Sequence, residues 1–547
     1  MLLYEYNMLS EETEKLIQAY QNWHLFLQKR EEVSTIHVDE VASRVAAFYE
    51  KVKGIIDWRE EHLLRKRAIE RSLKRRIIYK KEKQEKMGES LVYELIRGGH
   101  FPNDFVPEEK TTDIQKIIDK YFYVLEKKPL PSEKKESEKE IQEWLLEIAS
   151  YEVEKNLAPP LKEEAMIDFM FTLMKQKIKI SNGEMTMAGI TMPKITENEK
   201  NIQIYIAVQR ALFKVDDSII GYNLIEKQYP DWSKFSSHSP EVAKITVNIY
   251  SLKKKIEKAL NYSLSEKFYR LCEKYDTPYL LIGDIIEEDP MQAKENLENE
   301  EMQETLIKKA YDQRKKKLKT TIKRAAIYTT LSVFITKIAL ALLVEVPLDK
   351  FITGDFNYAS LGINILFPPF LMFLLVATVK SPKKENFQRA VMEVIKIISI
   401  TERKDVYQIK IPKKKNKVLD SIIFIVYFLT FILSFGLIIW FLRKINFSSL
   451  SVIIFLFFLS IISFLGIKIR QRGKELNIEK ERETFRVTLW DFFTLPILSL
   501  GKWLFRKWAK MNIALILAAL IDMPFLTFVE FLEQWRYFLK EKKERMH

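Results

Sequence analysis

Long apolar runs are concentrated in the carboxyl-terminal part of this chain, and four of them have the length of a membrane-spanning helix. A helix needs about 20 apolar residues, at a rise of about 1.5 Å each, to cross the hydrocarbon core of a bilayer. The pattern therefore predicts a polytopic α-helical membrane domain over 325–468, with four transmembrane helices at 325–346, 360–379, 419–442 and 450–467.

Before residue 325 the apolar positions recur at helical spacing, and no apolar run exceeds a few residues. In the stretch 201–214, for example, Ile204, Val208 and Leu212 lie four residues apart, which places them on one helix face. Strand patterns are weak, and the sequence indicates no more than a short hairpin at 181–194. The predicted fold class is therefore all-α, a large cytosolic helical domain followed by the membrane domain.

Proline positions divide the helical part. Pro159 and Pro160 stand between two helical patterns, and a proline pair interrupts a helix because it removes backbone donors and restricts the preceding residue. We therefore expect two cytosolic lobes, 1–157 and 158–324, that meet near residue 158.

The most basic stretch is the predicted helix 59–86, in which Ile69, Leu73 and Ile77 form a narrow apolar stripe among lysines and arginines. Such a helix either contacts anionic lipid headgroups or packs its stripe on neighbours while its charges stay in water. Both interpretations stay open from the sequence alone. Nucleic acid is disfavoured as a partner, because no aromatic residues alternate with the charges to stack on bases.

Basic clusters lie on one side of the predicted spans. Lysine and arginine are dense at 314–324, 380–417 and 468–474, whereas the short loops 347–359 and 443–449 carry few. Basic loops stay in the cytosol, so the amino terminus and the loop 380–418 are expected there. The high Ile, Lys and Glu content fits an AT-rich bacterial genome, which makes the bacterial cytoplasmic membrane the expected cell membrane.

The last segment, 469–547, combines aromatic residues with cations and is expected to be interfacial. Its candidate anchors in the headgroup layer are Trp490, Trp503, Trp508 and Trp535. The apolar run 511–531 has basic flanks on both sides. A re-entrant or in-plane hairpin broken at Pro524 is therefore favoured over a fifth crossing, which places the carboxyl terminus in the cytosol.

Five polar residues within the apolar segments are the candidate functional residues: Lys337, Glu345, Asn364, Asp522 and Glu530. A charge at the centre of a transmembrane helix costs at least about 2.5 kcal/mol on insertion scales, so some compensation must exist for each charged residue. Lys337 and Glu345 lie eight residues apart, about 12 Å along a helix, which is too far for direct pairing within it. We therefore expect Lys337 to snorkel, to face water, or to pair with a carboxylate on another segment, for which Asp522 and Glu530 are the candidates.

No residue pattern indicates a catalytic centre, a metal site or a bound cofactor. The one cysteine, Cys272, stands in a helical stretch without a neighbouring histidine, as is typical of a small buried residue. The six histidines lack the spacing of metal ligands, and no glycine-rich phosphate-binding loop occurs.

Three functions are compatible with these patterns. The favoured one is a membrane-anchored structural or interaction protein whose cytosolic domain recruits a protein partner, because well over half of the chain lies outside the predicted spans. The alternative is a small transporter or channel that uses Lys337, Glu345 and Asp522. The third is a lipid-acting membrane enzyme, which is less favoured because no catalytic constellation accompanies it.

Overall fold

The chain is mostly helical in its computed structural model. The structure describes residues 9–30, 34–38, 61–80, 86–129, 138–181, 195–347, 358–377, 379, 384–399, 406–410, 417–473, 476, 485–510, 531, 535 and 538. The chain forms two compact units. The first takes its described residues from 1–307 and 392–411, with the three isolated aromatic positions near the carboxyl terminus, and the second from 308–391 and 412–518. The prediction that the fold is all-α is confirmed.

The helices of the first unit are mostly 10 to 20 residues long. In chain order they are α1 Glu11–Arg30, α2 Glu61–Lys74, α3 Met87–Arg97, α4 Lys110–Lys127, α5 Glu138–Leu157, α6 Leu161–Lys177, α7 Glu197–Phe213, α8 Asp217–Gln228, α9 Pro240–Val247, α10 Ile249–Leu260, α11 Ser265–Lys274, α12 Asp276–Glu288 and α13 Ala293–Glu298. A π-helical turn, Arg75–Lys80, extends α2.

Side-chain caps fix the starts of two consecutive helices in this unit. At α7 the Thr196 side chain accepts from the Glu199 N–H, and the Glu199 carboxylate accepts from the Thr196 N–H, a reciprocal arrangement that satisfies two terminal donors. At α8 the Asp216 carboxylate accepts from the Ile219 N–H. Each cap of this kind stabilises a helix by about 1 kcal/mol.

A large hydrophobic core holds this unit together. Side chains from both sides of residue 158 meet in it, among them the fully buried Leu91, Ile148, Ile220 and Val242. Burying each side chain of this size stabilises the fold by about 1.5–3 kcal/mol. The predicted division into lobes 1–157 and 158–324 stays a prediction.

Two segments far apart in the sequence form a strand pair in the first unit. β1, Ile178–Ser181, lies parallel to β2, Tyr407–Lys410. Nearby, the Ser10 N–H donates to the Ile398 carbonyl at 2.8 Å. Residues 392–411, expected as part of a loop between membrane helices, therefore pack with the amino-terminal helices. Beyond Ser181, the predicted hairpin 181–194 lies outside the described residues.

The second unit contains longer and more apolar helices. They are α14 Glu300–Leu340 with a π-helical turn Ala341–Glu345, α15 Tyr358–Ala377, α16 Lys384–Ile398, α17 Lys417–Lys444, α18 Ser449–Arg472 and α19 Phe485–Lys510. Helix α14 begins in the first unit, and α16 ends in it.

Three helices are long and apolar enough to cross a membrane: Ser360–Ala377, Ser421–Lys444 and Ser449–Gln471, with mean hydropathies of 2.0, 2.8 and 2.8. They confirm the apolar runs predicted at 360–379, 419–442 and 450–467 as helices of spanning length. The run 325–346 is helical but is not among the described helices that reach this apolar content. Its crossing therefore stays a prediction.

The helix α19 belongs to the second unit and packs against α17 and α18. The Ser434 hydroxyl donates to the Phe493 carbonyl at 3.0 Å. Gly501 lies so close to the Ser460 backbone that any side chain at this position would collide with it, which explains a glycine at this helix contact. The interfacial location of 469–547 stays a prediction, and 511–530 lies outside the described residues.

Candidate functional site

Lys337 and Glu345 face each other inside the second unit. The Lys337 Nζ lies 3.8 Å from the Glu345 Oε2, and the side chains are 0% and 1% exposed. The prediction that these residues are too far apart to pair was wrong. It assumed a regular α-helix and considered only the distance between the backbone positions. A π-helical turn over Ala341–Glu345 changes the angle around the helix axis between the two side chains. Side chains also lean towards the helix amino terminus, which brings the Glu345 carboxylate back towards the long Lys337 side chain.

Two neighbouring helices donate hydrogen bonds to the Glu345 carboxylate. From α15 the Asn364 amide nitrogen donates to Oε1, and from α18 the Ser451 hydroxyl donates to the same oxygen at 2.6 Å. All three side chains are at most 3% exposed. Hydrogen bonds to an ionised acceptor are roughly twice as strong as neutral ones, so this carboxylate links α14, α15 and α18. We call Lys337, Glu345, Asn364 and Ser451 the polar cluster.

An aromatic ring covers the cationic end of the polar cluster. The Lys337 Nζ lies 4.7 Å from the centroid of the Phe458 ring of α18. The negative face of an aromatic ring attracts a cation, by up to about 2 kcal/mol where water is excluded. Phe458 therefore stabilises the ammonium in addition to Glu345.

Hydrogen bonding within the polar cluster is incomplete. Among the described residues, the Lys337 Nζ, the Glu345 Oε2 and the Asn364 Oδ1 are buried and have no hydrogen-bond partner. The first two atoms form an ion pair, but their separation of 3.8 Å exceeds the usual donor–acceptor distance of a hydrogen bond. One donor group and two acceptors thus remain available within one enclosed site.

Local sequence features place these side chains. Pro368 and Pro369 lie inside α15, and Pro368 has no N–H to donate to the carbonyl of Asn364, four residues earlier. Ser448 caps α18 by accepting from the Ser451 N–H, so Ser451 stands in its first turn. The Glu345 carboxylate consequently lies near the end of α18 that follows the turn at Asn446, a left-handed residue with φ 62°.

The structure brings together three of the five predicted polar residues, Lys337, Glu345 and Asn364. Asp522 and Glu530 lie outside the described residues, so the predicted pairing of Lys337 with either one is untested. Ser451 and Phe458 were not predicted. Ser451 could have been flagged as a hydroxyl in the first turn of an apolar helix, whereas no pattern distinguishes Phe458 from the other aromatic residues of α18.

The predicted interfacial tryptophans are described in part. Trp503 on α19 is 56% exposed and Trp535 is 50% exposed, and Trp535 stacks on Phe531 with a centroid distance of 6.2 Å. The side chains of Trp490 and Trp508 lie outside the described part of the structure. The role of these rings as headgroup anchors stays a prediction.

Several cations of the predicted basic helix 59–86 pair with carboxylates of the first unit. Among the described residues, ion pairs join Arg65 to Glu154, Lys66 to Asp216, Lys74 to Glu70, and both Arg75 and Arg76 to Glu94. The two arginines hold the pKa of the Glu94 carboxyl below its usual value, although burial opposes them. These contacts favour the packing interpretation of this helix over the lipid interpretation.

The environment of Cys272 agrees with its sequence. The side chain is fully buried, and burial raises the pKa of its thiol. A thiol that resists ionisation is a poor nucleophile, so Cys272 is a packing residue.

No family model, curated protein or solved structure matches this chain.

Proposed function

We propose that the protein is a multi-pass protein of the bacterial cytoplasmic membrane that acts as a membrane-anchored interaction protein. Its first unit would lie in the cytosol and recruit a protein partner, while the second unit anchors it. The polar cluster carries this proposal, because the charges of Lys337 and Glu345 are turned towards each other and enclosed. Polar contacts between helices hold a membrane bundle together.

A strand pairing supports the topology of this proposal. β1 precedes and β2 follows the apolar helix Ser360–Ala377, and both strands belong to one unit. Segments on the same side of a membrane must be joined by an even number of crossings. If Ser360–Ala377 crosses, a second crossing between the strands is needed, and the sequence offers the run 325–346 for it.

Labelling of single cysteines tests this topology. We would place Asp355→Cys and Lys414→Cys separately in a Cys272→Ser background and treat intact cells with a membrane-impermeant maleimide. The proposal predicts that the first position labels from outside and the second only after permeabilisation. Labelling of both positions from the same side contradicts the four-crossing arrangement.

The lipid contact of this anchor is proposed at the entry to the first crossing. Lys316, Lys317, Lys319, Lys323 and Arg324 are exposed on α14. Basic residues just cytosolic to a span attract anionic headgroups by about 1 kcal/mol each near the surface. The exposed Trp503 would add an aromatic anchor in the headgroup layer.

A small transporter or channel is the second candidate, and one observation favours it. Within the described residues, Lys337, Glu345 and Asn364 each have a buried polar atom without a hydrogen-bond partner, and a water molecule or an ion in transit would supply partners for these atoms. In that case both the charge of Lys337 and that of Glu345 would be needed for flux.

A flux assay separates the two candidates. The purified protein in liposomes would be tested for movement of protons, sodium and potassium, alongside Lys337→Met and Glu345→Gln. An anchor predicts no flux above that of protein-free liposomes and a loss of thermal stability in both variants. Flux in the wild type that both variants abolish, in proteins that remain folded, would overturn the anchor proposal.

A further inference from the structure

The first unit contains a cavity of about 230 Å³. Helices α1, α5, α6 and α8 supply most of its walls, and the lining residue Phe26 is 37% exposed. Sites for drug-sized ligands usually occupy roughly 300–1,000 Å³, so this space limits an occupant to a smaller molecule. All of its lining residues belong to the first unit, so the cavity is separate from the polar cluster.

The charged residues that line the cavity include more carboxylates than cations. Arg65 and Lys162 are the cations, whereas Glu154, Glu163 and Glu164 are the carboxylates. The lining therefore carries one net negative charge when all five are ionised.

Ion pairs engage both cations of the lining. Arg65 donates to the Glu154 Oε1 from two nitrogens, at 3.2 and 3.0 Å. Lys162 lies 2.7 Å from a carboxylate oxygen of Glu287. An anionic ligand would therefore have to break an existing ion pair to obtain a cationic partner.

One carboxylate of the lining has no such partner. Glu164 pairs with Lys155 at 2.6 Å, whereas Glu163 makes no ion pair with any residue that the structure describes. Glu164 also shows that negative charge is poorly solvated here, because burial raises the pKa of its carboxyl even though Lys155 opposes the shift. A cation entering the cavity would bring a positive charge close to the carboxylates of Glu163 and Glu164.

Aromatic rings contribute to the apolar part of the lining. Trp23, Phe105, Tyr151 and Phe213 all border the space. One of these rings already holds a cation, since the Lys162 Nζ lies 4.1 Å from the centroid of Trp23. Aromatic faces next to a carboxylate are the chemistry that recognises organic ammonium groups.

We propose that this cavity binds a small organic cation, with Glu163 as its charge partner and the aromatic rings around its apolar portion. The ligand is expected to be a cation because Glu163 makes no ion pair with a described residue, whereas Arg65 and Lys162 are already paired. It is expected to be small because the cavity volume is about 230 Å³. Binding would give the first unit a ligand-sensing role in addition to any recruitment of a partner.

Glu163 also has a structural role that the test must separate from binding. It stands in the first turn of α6, where a negative charge stabilises the helix by about 0.3–1 kcal/mol through the helix dipole. Glu241 is the matched control, because it occupies the first turn of α9, is exposed and lies outside the cavity lining. Glu163→Gln and Glu241→Gln therefore remove equivalent helix charges, but only the former changes the cavity.

The experiment uses the full-length protein in nanodiscs and isothermal titration calorimetry. The probes are benzyltrimethylammonium, the neutral benzyl alcohol and the anionic benzoate. We expect the wild type and Glu241→Gln to bind the cation and to bind the other two probes at least tenfold more weakly. Glu163→Gln should weaken cation binding about fivefold or more, in line with the loss of about 1 kcal/mol or more.

A cavity-filling variant protects the test against a folding defect. Val215→Trp places a large ring in the space while leaving Glu163 in place, and it should abolish binding of the cation. Circular dichroism and thermal unfolding identify any variant that is not folded. Absence of cation binding in the wild type, tighter binding of benzoate, or equal cation affinity in Glu163→Gln and Glu241→Gln would overturn the proposal.

Discussion

Among the described residues, each unit contains a lysine–glutamate pair that is almost completely buried, and the two pairs differ in how their polar atoms are hydrogen-bonded. In the first unit the Lys120 Nζ donates to the Glu152 Oε1 at 2.5 Å and to the Trp232 carbonyl at 2.8 Å. The other oxygen, Glu152 Oε2, accepts from the Tyr121 hydroxyl at 2.7 Å and from the Trp232 ring nitrogen at 3.0 Å. This pair is part of a closed hydrogen-bond network.

The pair in the second unit is open by comparison. Lys337 and Glu345 are 3.8 Å apart, and one polar atom of each lacks a hydrogen bond within the described structure. Burial of charge is costly unless the remaining donors and acceptors are also satisfied. The difference therefore indicates that the first pair maintains the fold, whereas the second retains polar atoms whose hydrogen bonds no described residue supplies.

Removal of the cation from the closed network should have the largest effect. Lys120→Met leaves Glu152 charged, buried and without its ammonium, and breaking a buried pair in this way costs about 3–5 kcal/mol. Burial already lowers the pKa of Lys120, although Glu152 opposes that shift, so the ammonium depends on its partner. Thermal unfolding of the full-length protein, followed by circular dichroism, measures the loss.

The control for this variant lies one turn earlier on the same helix. The Lys116 side chain is 65% exposed and pairs with Asp113 at 3.3 Å. Lys116→Met should therefore change the free energy of unfolding by less than about 0.5 kcal/mol. Equal losses in the two variants would mean that the Lys120 network does not maintain the fold.

Glu147 sharpens the comparison, because it is a carboxylate of the first unit whose charge is not fully compensated. Burial raises its pKa to about 7, and Glu70 and Asp216 act in the same direction while Lys66 and Lys74 oppose them. The unfolded chain loses this proton near pH 4.3, whereas the folded chain keeps it until about pH 7. The folded state therefore binds more protons between these values, and stability falls as pH rises through this window.

Glu147→Gln should remove this pH-dependent loss. We expect no stabilisation at pH 4 and a stabilisation on the order of 1–3 kcal/mol at pH 8, measured as the difference in unfolding free energy between variant and wild type. Glu143→Gln, one turn earlier on α5, is the control for removal of a glutamate charge from this helix. A constant difference across the pH range would contradict the assigned titration.

A double-mutant cycle tests the open pair directly. Lys337→Met and Glu345→Gln should each destabilise the protein by about 1–2 kcal/mol, less than Lys120→Met, because polar contacts in membrane bundles have small net energies. The two losses should add less than fully, since they share one interaction. Independent and additive losses would mean that the 3.8 Å approach has no energetic consequence.

The sequence predicted the chemistry of the polar cluster better than its geometry. A charge within an apolar run is conspicuous because of its insertion cost, so Lys337, Glu345 and Asn364 could be selected from the sequence. Their contacts could not, because apolar periodicity assumes a regular helix and carries no signal for the π-helical turn Ala341–Glu345.

The parts of the fold that depend on residues close together in the sequence could be predicted, and the parts that depend on distant residues could not. Apolar runs and helical spacing depend on neighbouring residues, and they identified the three helices of spanning length. The pairing of β1 with β2 depends on residues more than 200 positions apart, and four-residue strands have too little pattern to specify a partner. The packing of 392–411 in the first unit was therefore not foreseen.

Ser451→Ala should have the smallest effect and identifies what the Glu345 carboxylate needs. The variant removes one of the two donors to Oε1, while Asn364 remains in place, so we expect a loss of about 1 kcal/mol in thermal unfolding. Ser460→Ala is the control, because Ser460 is equally buried on α18 but donates to the Leu456 carbonyl of its own helix at 2.8 Å. If the two variants lose the same stability, the Ser451 bond contributes no more than an ordinary serine–backbone bond. A larger loss for Ser451 would place the charge of Glu345, and hence its pairing with Lys337, among the interactions that hold α14 against α18.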